Sequence, residues 1–461
     1  MGHRDSISNL PDEILGKILS SLPTKLVAST SVLSKRWENL FRFVENLDFT
    51  DHPEPEFQPI PGHCFTSFMV TKFLKLIDPP CIKKFSLNCR YGDYDDVHTW
   101  IHTALERGCL ELHLQCQSRR RSLDLKVFSN NTLVKLTLSN GIFIVDDFTL
   151  HEHPEEAGAF FPKLKSLSLD GVWMTGDFYE LLLIENCPSL EDLNIRDQGY
   201  PITWKGYVSS ASIKRLLVSV GKFEELYDEQ CRRSVWFDAP TLVHLDYSCY
   251  VSSHYDVVDL DSLVEARLDI RLWEPTNTDG DSDLGDVTHL VAGLRNIKSL
   301  YLSPDSLEVF YLCCKSMPVF ANLLRLSFES DKERGWQIVP LLLKRSPNLQ
   351  TLLIKGLLHK VTNRCGDVCV CVPKKRKMMM MMEEENVSCL STCRVKVLEI
   401  SGYGGTCKEL KQMRHFLGKL KYLETVKISL QIEKNDNYRQ RVTNVLKKLP
   451  RLSSKCQIHF F

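Results

Sequence analysis

The sequence of 461 residues predicts an α/β fold with three regions: a short three-helix module, an irregular solenoid of strand-containing repeats, and a closing α/β region. Three observations predict it. Apolar residues recur at helical spacing near the start of the chain, a six-residue apolar pattern recurs from residue 82 onward, and the last part alternates strand and helix patterns. The predicted boundaries are 1–50, 51–390 and 391–461.

Composition excludes several classes of protein. Hydrophobic residues make up 43% and charged residues 25%, which is typical of globular chains. Because 58 basic residues balance 58 acidic ones, no net positive charge attracts nucleic acid. Neither a signal peptide nor a membrane span is predicted, so we expect an intracellular protein of the nucleus or cytoplasm. The 17 cysteines are therefore expected to be reduced and mostly buried, including Cys187, Cys231, Cys249 and Cys393.

The first region carries helix-start residues. A helix is predicted from Pro11 to about Ser20, because proline suits a first helical turn and the acidic residues after it complement the helix dipole. Thr24 and Ser34 are predicted to cap a second and a third helix. The region is therefore expected to hold three short helices.

The first helix has a broad apolar stripe. Ile14 and Ile18 align one turn apart, as do Leu15 and Leu19, and Leu22 continues the stripe. A module of about 45 residues buries too little surface for comfortable stability alone, so the stripe is expected to be covered by a partner. The alternative is a helical bundle packed on the rest of the chain; the pattern alone leaves both open.

The segment DSISNLPDEILGKILSSLPTKLVASTSVLSKRWENLF resembles the plant F-box motif at nearly every position, including Leu10-Pro11, Leu22-Pro23, the TSVLSKRW run and Leu40. One departure is Phe41, where many relatives carry Trp. The resemblance implies binding to the Skp adaptor of a cullin-RING ubiquitin ligase. The residues it assigns to this adaptor site are Leu10, Pro11, Ile14, Leu15, Ile18, Leu19 and Leu22, with Trp37 locking the third helix.

The middle region repeats a pattern of apolar residues at positions one, four and six. Its thirteen copies are IKKFSL, CLELHL, LVKLTL, LKSLSL, LEDLNI, IKRLLV, LVHLDY, LVEARL, IKSLYL, LLRLSF, LQTLLI, VKVLEI and LETVKI. Their fourth positions are 21 to 34 residues apart, except for one interval of 46. Such spacing is typical of leucine-rich repeats, in which each unit supplies one strand and a return segment. The alternative is a set of unrelated half-buried strands.

Helical stretches that end in proline precede several copies, namely FYELLLIENCPSL, VPLLLKRSPNLQ and LCCKSMPVFANL. The array resembles the leucine-rich repeats of plant F-box proteins. The side chains between the apolar positions are expected to face outward and form a protein-binding surface. The candidates are Glu111, His113, Lys135, Thr137, Ser166, Ser168, Asp192, Asn194, His244, Asp246, Arg325 and Ser327.

The last region, residues 393 to 461, resembles the FBD region that ends many plant F-box proteins. Its strand to Ile400, turn from Gly402 to Gly405, helix from Lys408 to Leu417, LETVKI strand, helix to Leu449 and closing SSKCQIHF match that region. We expect it to cap the open end of the array, because a terminal repeat otherwise exposes its core.

The 46-residue interval contains a predicted disordered insertion at 364–392, with a basic run, five methionines and an acidic run. Lys374, Lys375, Arg376 and Lys377 are a candidate nuclear localisation signal, although such runs are common in solvated loops. Zinc is not predicted, because the five cysteines lack C-x-x-C spacing: Cys365, Cys369, Cys371, Cys389 and Cys393.

No catalytic constellation is predicted. His98, His102 and Glu106 share a helix face without the H-E-x-x-H order, and Gly402 to Gly405 lacks the spacing of a phosphate loop. We therefore expect a non-enzymatic chain without cofactor or metal. The leading hypothesis is a substrate receptor of an SCF-type E3 ligase that binds a Skp-type adaptor and an unknown target protein. The alternative is a repeat scaffold that acts independently of ubiquitination.

Overall fold

The structure is a computed structural model, and the chain forms two compact units: Met1–Ile213 with Val220–Glu224, and Lys214–Ser219 with Glu225–Phe461. No helix within the described part of the chain is long and apolar enough to cross a bilayer. The described residues are 7, 9–50, 65–76, 82–89, 94–116, 121–123, 130–139, 142–144, 161–174, 179, 186–197, 203–221, 234–273, 284–370, 389–431 and 436–461.

The N-terminal module contains three α-helices and one 3₁₀ helix. They are α1 (Asp12–Leu19), α2 (Thr24–Thr30), α3 (Lys35–Asn39) and the 3₁₀ helix Leu40–Phe43. Pro11 is the N-cap of α1. The predicted cap of α2 is wrong: Pro23 holds that position, and Thr24 lies buried inside the helix. Ser34 is the N-cap residue of α3, but its side chain makes no capping hydrogen bond.

The module continues directly into the repeat sheet. Strand β1 (Asn46–Thr50) pairs in parallel with β2 (Lys84–Cys89). The Asp48 backbone N–H donates to Thr24 Oγ1 at 2.7 Å, and the Glu45 N–H donates to Ser20 Oγ at 2.9 Å. Thr24 thus anchors the first strand instead of capping a helix.

The first unit stacks parallel strands in the order β1-β2-β3-β5-β7-β9. The fourth positions of the apolar pattern lie side by side in one buried row, so the predicted repeat phase is confirmed here: Phe85, Leu112, Leu136, Leu167 and Leu193, preceded by Leu47. The remaining strands are β3 (Glu111–Cys116), β5 (Lys135–Ser139), β7 (Ser166–Asp170) and β9 (Asp192–Asp197).

Shorter strands and two helices return the chain between the sheet strands of this unit. Strands β4, β6 and β8 form a second small parallel sheet. The elements are α4 (Phe65–Leu76), α5 (Tyr94–Glu106), β4 (Arg121–Leu123), β6 (Ile142–Ile144), β8 (Trp173–Met174) and β10 (Tyr207–Ser209). The predicted helix in FYELLLIENCPSL lies largely outside the described residues.

The second unit stacks nine parallel strands in the order β11-β13-β15-β16-β17-β18-β19-β20-β21. Its row of fourth positions is again in register: Leu216, Leu245, Ala266, Leu300, Leu326, Leu352, Leu398 and Val426, followed by Ile458. The strands are β11 (Arg215–Val220), β13 (His244–Tyr250), β15 (Glu265–Arg271), β16 (Ser299–Leu302), β17 (Arg325–Glu329), β18 (Thr351–Lys355), β19 (Val397–Tyr403), β20 (Thr425–Leu430) and β21 (Gln457–Phe460).

Helices connect these strands. Two of them end before the prolines that the sequence places after them, Pro318 and Pro347. Strands β12 (Ser234–Asp238) and β14 (His254–Asp259) pair in parallel apart from the main sheet. The helices are α6 (Thr288–Gly293), the 3₁₀ helix Leu294–Asn296, α7 (Pro304–Cys313), α8 (Val339–Lys344), α9 (Cys389–Thr392), α10 (Cys407–Lys419) and α11 (Asp436–Lys447).

The C-terminal region extends the same sheet, with the order β19, α10, β20, α11, β21. Gly402 and Gly405 take φ values of +72° and +80°, which L side chains rarely adopt. Helix α10 starts at a capping box in which Thr406 Oγ1 accepts from the Glu409 N–H and Glu409 accepts from the Thr406 N–H. The start of α10 is therefore well defined.

The predicted disorder of 364–392 is wrong at both of its ends. Residues 364–370 and 389–392 are described, and five of their side chains are buried: Cys365, Val368, Cys369, Cys389 and Leu390. The composition of the charged and methionine-rich run concealed these short apolar anchors. Residues 371–388, which include the basic run, lie outside the described residues.

Candidate functional site

The apolar stripe of α1 separates into two faces. Leu15 and Leu19 are buried inside the module, whereas Ile14 and Ile18 are 41% and 45% exposed. Leu15 and Leu19 therefore support the surface from beneath, which corrects their assignment as direct contacts. Among the other residues assigned to the adaptor site, Pro11 is exposed. The half-buried ones are Leu10, Leu22 and Trp37.

Further apolar side chains are exposed on the same module. Val32 and Leu33, in the turn between α2 and α3, are 84% and 64% exposed, and Ile7 and Leu26 are also exposed. We call Ile7, Ile14, Ile18, Leu26, Val32 and Leu33 the exposed apolar set. Sequence reasoning did not assign Ile7, Leu26, Val32 or Leu33 to the site. Val32 and Leu33 lie within the TSVLSKRW run. Their position directly before the predicted start of a helix was the signal that could have assigned them to the surface.

Arg36 fixes α3 against α1. Its guanidinium donates to Asp12 Oδ1 at 2.7 and 2.9 Å and also to the backbone carbonyl of Leu10. The family resemblance implied that Trp37 holds the third helix in place. The hydrogen bonds that join α3 to α1 here come from the neighbouring residue, Arg36. Gly16 permits a second close approach, because a Cβ there would lie 2.3 Å from Phe43 Cβ.

The module packs on the rest of its unit as well. Phe41 is buried, and its ring centroid lies 4.7 Å from that of Phe73 on α4. Phe73 in turn contacts Phe49 on β1, at 6.0 Å between centroids. One face of the module therefore packs internally, as in the bundle alternative, while the exposed apolar set faces solvent.

The outward positions of the first unit form polar rows. One row runs through Ser86, His113, Thr137, Ser168 and Asn194 on adjacent strands. Burial, followed by the charges of two flanking lysines on neighbouring strands, lowers the pKa of His113 below 6.5, so its imidazole is neutral near pH 7. A neutral polar row of this kind suits hydrogen bonding to a partner.

The second unit exposes predicted candidates too, with one exception. His244 and Asp246 on β13 are exposed, and Arg325 on β17 is partly exposed and lies 3.8 Å from Glu399. Ser327 is 7% exposed and therefore buried, so its assignment to the surface is wrong.

Aromatic and arginine side chains lie together on β13, β15 and β16 and directly after β15. Tyr250 stacks on Trp273 at 4.3 Å between centroids, and the Arg271 guanidinium lies 5.0 Å from the Tyr250 ring centroid. Arg267 lies 4.5 Å from the ring centroid of Tyr301. We call Tyr250, Arg267, Arg271, Trp273 and Tyr301 the arginine–tyrosine cluster. These residue types dominate binding energy in protein interfaces, and the repeat pattern did not indicate them.

The weak catalytic and metal candidates have plain structural surroundings. His102 lies 3.4 Å from Glu106 in an exposed pair. Burial raises the pKa of the Cys187 thiol to about 12, and Cys249 and Cys393 are buried as predicted. Cys231 lies outside the described residues. Within the described part of the chain, one group of cysteine and histidine side chains could hold a metal ion, His359, Cys365 and Cys369.

Comparison with known proteins decides the family. Residues 7–49 match the F-box domain model, and residues 97–254 match a model of the leucine-rich repeats of the FBD-associated F-box protein At5g56370. The Arabidopsis thaliana F-box/LRR-repeat protein At1g48400 is 50% identical over 99% of this chain and 98% of its own length. The chain belongs to the plant F-box/LRR-repeat protein family.

Two further Arabidopsis thaliana relatives match along their full length. The F-box/LRR-repeat protein At5g35995 is 51% identical, and the putative F-box protein At1g64540 is 50% identical; each match covers 100% of both chains. F-box/LRR proteins generally act as substrate receptors of SCF ubiquitin ligases, and they are typically non-catalytic adaptors. The N-terminal module is thus an F-box, and the parallel strands that follow it carry the repeats.

Proposed function

We propose that this chain is the substrate receptor of an SCF-type E3 ligase, in which the exposed apolar set binds a Skp-type adaptor and the repeat surface binds a target protein. The observation that carries the first part is the exposure of six large apolar side chains on a module that matches the F-box domain. Burying one such side chain stabilises a complex by about 1.5–3 kcal/mol. A soluble chain gains by covering them with a partner.

The adaptor contact is tested by paired substitutions. In an Ile18→Asp/Val32→Asp variant, two charges would be buried at the interface, so adaptor affinity should fall by at least about 100-fold. The matched control is Leu312→Asp on α7, because Leu312 is 47% exposed and Ile18 is 45% exposed. Binding is measured by calorimetry with the purified adaptor. Unchanged affinity in the double variant would refute the assigned surface.

The target contact rests on the arginine–tyrosine cluster. Its rings and guanidinium groups are held by stacking and by ion pairs such as Arg271–Asp269 at 3.3 Å, so little side-chain freedom is lost on binding. The target is a protein, and the ligase complex would bring its lysines close to a ubiquitin-charged enzyme. The chain itself supplies no catalytic group in this role.

The target contact is tested with Arg267→Ala/Tyr301→Ala. Proteins that the wild-type chain marks with ubiquitin should lose that mark in the variant, while adaptor affinity stays the same. Arg295→Ala is the control, because Arg295 is an exposed arginine paired with Asp261 outside the cluster. If deletion of the chain leaves the abundance and ubiquitination of all captured proteins unchanged, the scaffold function is favoured instead.

A further inference from the structure

The loop after β18 brings together three side chains that no part of the ligase function uses. The candidate ligand atoms of His359, Cys365 and Cys369 all lie within 4.8 Å of one another. Cys365 and Cys369 are 1% and 5% exposed, and His359 is half-buried. Tetrahedral zinc binds thiolate at about 2.3 Å and imidazole at about 2.0 Å, which spaces its ligand atoms by about 3.5 Å. Small side-chain movements would therefore place one ion in contact with all three.

The histidine ring is held in place before any ion binds. It stacks on the Trp336 indole with centroids 4.0 Å apart and an interplanar angle of 15°. Its Nδ1 lies 3.4 Å from the Leu357 carbonyl oxygen. Thr362 Oγ1 lies 3.3 Å from Cys365 Sγ. These contacts fix the orientation of the His359 ring and the position of the Cys365 sulfur.

The loop that carries the two cysteines is anchored from helix α10. Gln412, which is buried, donates to the Val368 carbonyl at 2.7 Å and accepts from the Val370 N–H at 3.1 Å. His415 Nε2 lies 2.7 Å from the Asp367 carbonyl oxygen. The Asp367 carboxylate accepts from the Cys389 N–H at 3.0 Å. The cluster is thus part of a rigid, hydrogen-bonded core.

We propose that His359, Cys365 and Cys369 bind a zinc ion, with the fourth tetrahedral position left to an exogenous ligand. Two sulfurs and one imidazole nitrogen are the donor set that zinc prefers. The ion would tie the segment after β18 to the loop held by α10. Because all three ligands lie in the loop after β18, adaptor binding by the F-box would not depend on the ion.

The proposal is tested on the full-length chain without an affinity tag. After incubation with ZnCl₂ and exhaustive dialysis, the wild-type chain should retain about one zinc ion per chain, measured by inductively coupled plasma mass spectrometry. Cys365→Ser and Cys369→Ser should each lose it, while Cys407→Ser, which changes an exposed thiol, should retain it. Absence of stoichiometric zinc in the wild type, or its retention in both loop variants, would overturn the proposal.

A second measurement uses only the wild-type chain and so remains valid if a variant fails to fold. Zinc should slow alkylation of Cys365 and Cys369 at least tenfold, and the exposed Cys407 should react at the same rate with or without zinc. Replacement by Co²⁺ should give thiolate-to-metal absorption. Equal alkylation rates with and without zinc, or a disulfide between Cys365 and Cys369 that persists after treatment with a reductant, would contradict metal binding.

Discussion

The F-box and the repeat surface offer a partner opposite chemistries. The F-box exposes apolar side chains, such as Ile18 on α1 and Val32 in the turn between α2 and α3. The repeat strands instead expose polar rows and, on the second unit, a cluster of stacked rings and guanidinium groups. Apolar contacts tolerate many sequences, whereas hydrogen-bonding side chains reject a mismatched partner. The difference suits one surface to a constant subunit and the other to a selected protein.

The largest effect is expected where the F-box surface meets its core. Leu15→Ala should cost about 2–5 kcal/mol of folding free energy, because Leu15 is fully buried. Ile18→Ala should change that free energy by less than about 0.5 kcal/mol, yet weaken adaptor binding. Hydrogen exchange of the F-box amides and adaptor calorimetry separate the two effects. Equal destabilisation by both variants would break the distinction between core and surface on α1.

Gly16→Ala should have the next largest effect. It should cost about 1–3 kcal/mol of folding free energy, because the added Cβ overpacks against the 3₁₀ helix. A Cβ at Gly16 would lie 2.7 Å from the Phe43 carbonyl oxygen, whereas one at Gly418 in α10 would meet nothing within 4 Å. Gly418→Ala is therefore the control and should stabilise its helix by about 0.5–1 kcal/mol. Chemical denaturation gives the change in folding free energy, and hydrogen exchange assigns it to a region of the chain. If both variants changed the folding free energy in the same direction, the close approach of Gly16 to Phe43 would be contradicted.

Arg36→Ala should cost about 1 kcal/mol of folding free energy, since solvent screens both its partly exposed ion pair with Asp12 and its charge-assisted bond to the Leu10 carbonyl. Loss of this clamp frees α3 relative to α1. Adaptor affinity should therefore fall although no apolar side chain has changed. Arg36→Lys should recover little, because lysine cannot bridge both acceptors in the same fork geometry. Full recovery by lysine would show that charge alone matters.

The smallest effect concerns pH and the polar rows of the first unit. Burial, and then the charges of Lys84 and Lys135, hold the folded pKa of His113 below its unfolded value of 6.5. The unfolded chain therefore takes up the proton first, and stability should decline as pH falls below about 6.5 toward the folded pKa. His113→Gln should reduce the difference between melting temperatures at about pH 7.5 and about pH 5.5. An unchanged difference would exclude His113 as its source.

Periodicity predicted the fold well because each repeat buries the same two or three positions. The fourth position of every copy, from Phe85 to Val426, lies in a buried row. It predicted the first strand less well, since β1 lies inside the apparent F-box segment and breaks the spacing. Short anchors such as Val368 and Cys389 were hidden by the charged run between them. Composition averages over a window and cannot resolve the five buried residues at the two ends of this run.

The candidate sites were less predictable than the fold. A stripe on one helix cannot tell Leu15 from Ile18, because which side is covered depends on where the 3₁₀ helix packs. The cluster of Arg267 and Tyr301 forms across strands from different repeats, and its members are 34 residues apart in sequence. His359 was missed for the same reason, since its nearness to Cys365 depends on a turn with Asn363 and Gly366 at positive φ.

The shared strand β1 has a mechanical consequence for a receptor. Its residues leave the F-box and immediately hydrogen-bond with β2, while Ser20 and Thr24 brace the junction. A target protein bound by the first repeats would therefore be held at a fixed distance from the F-box. Which of its lysines reach the ubiquitin-charged enzyme would then depend on where they lie on the target.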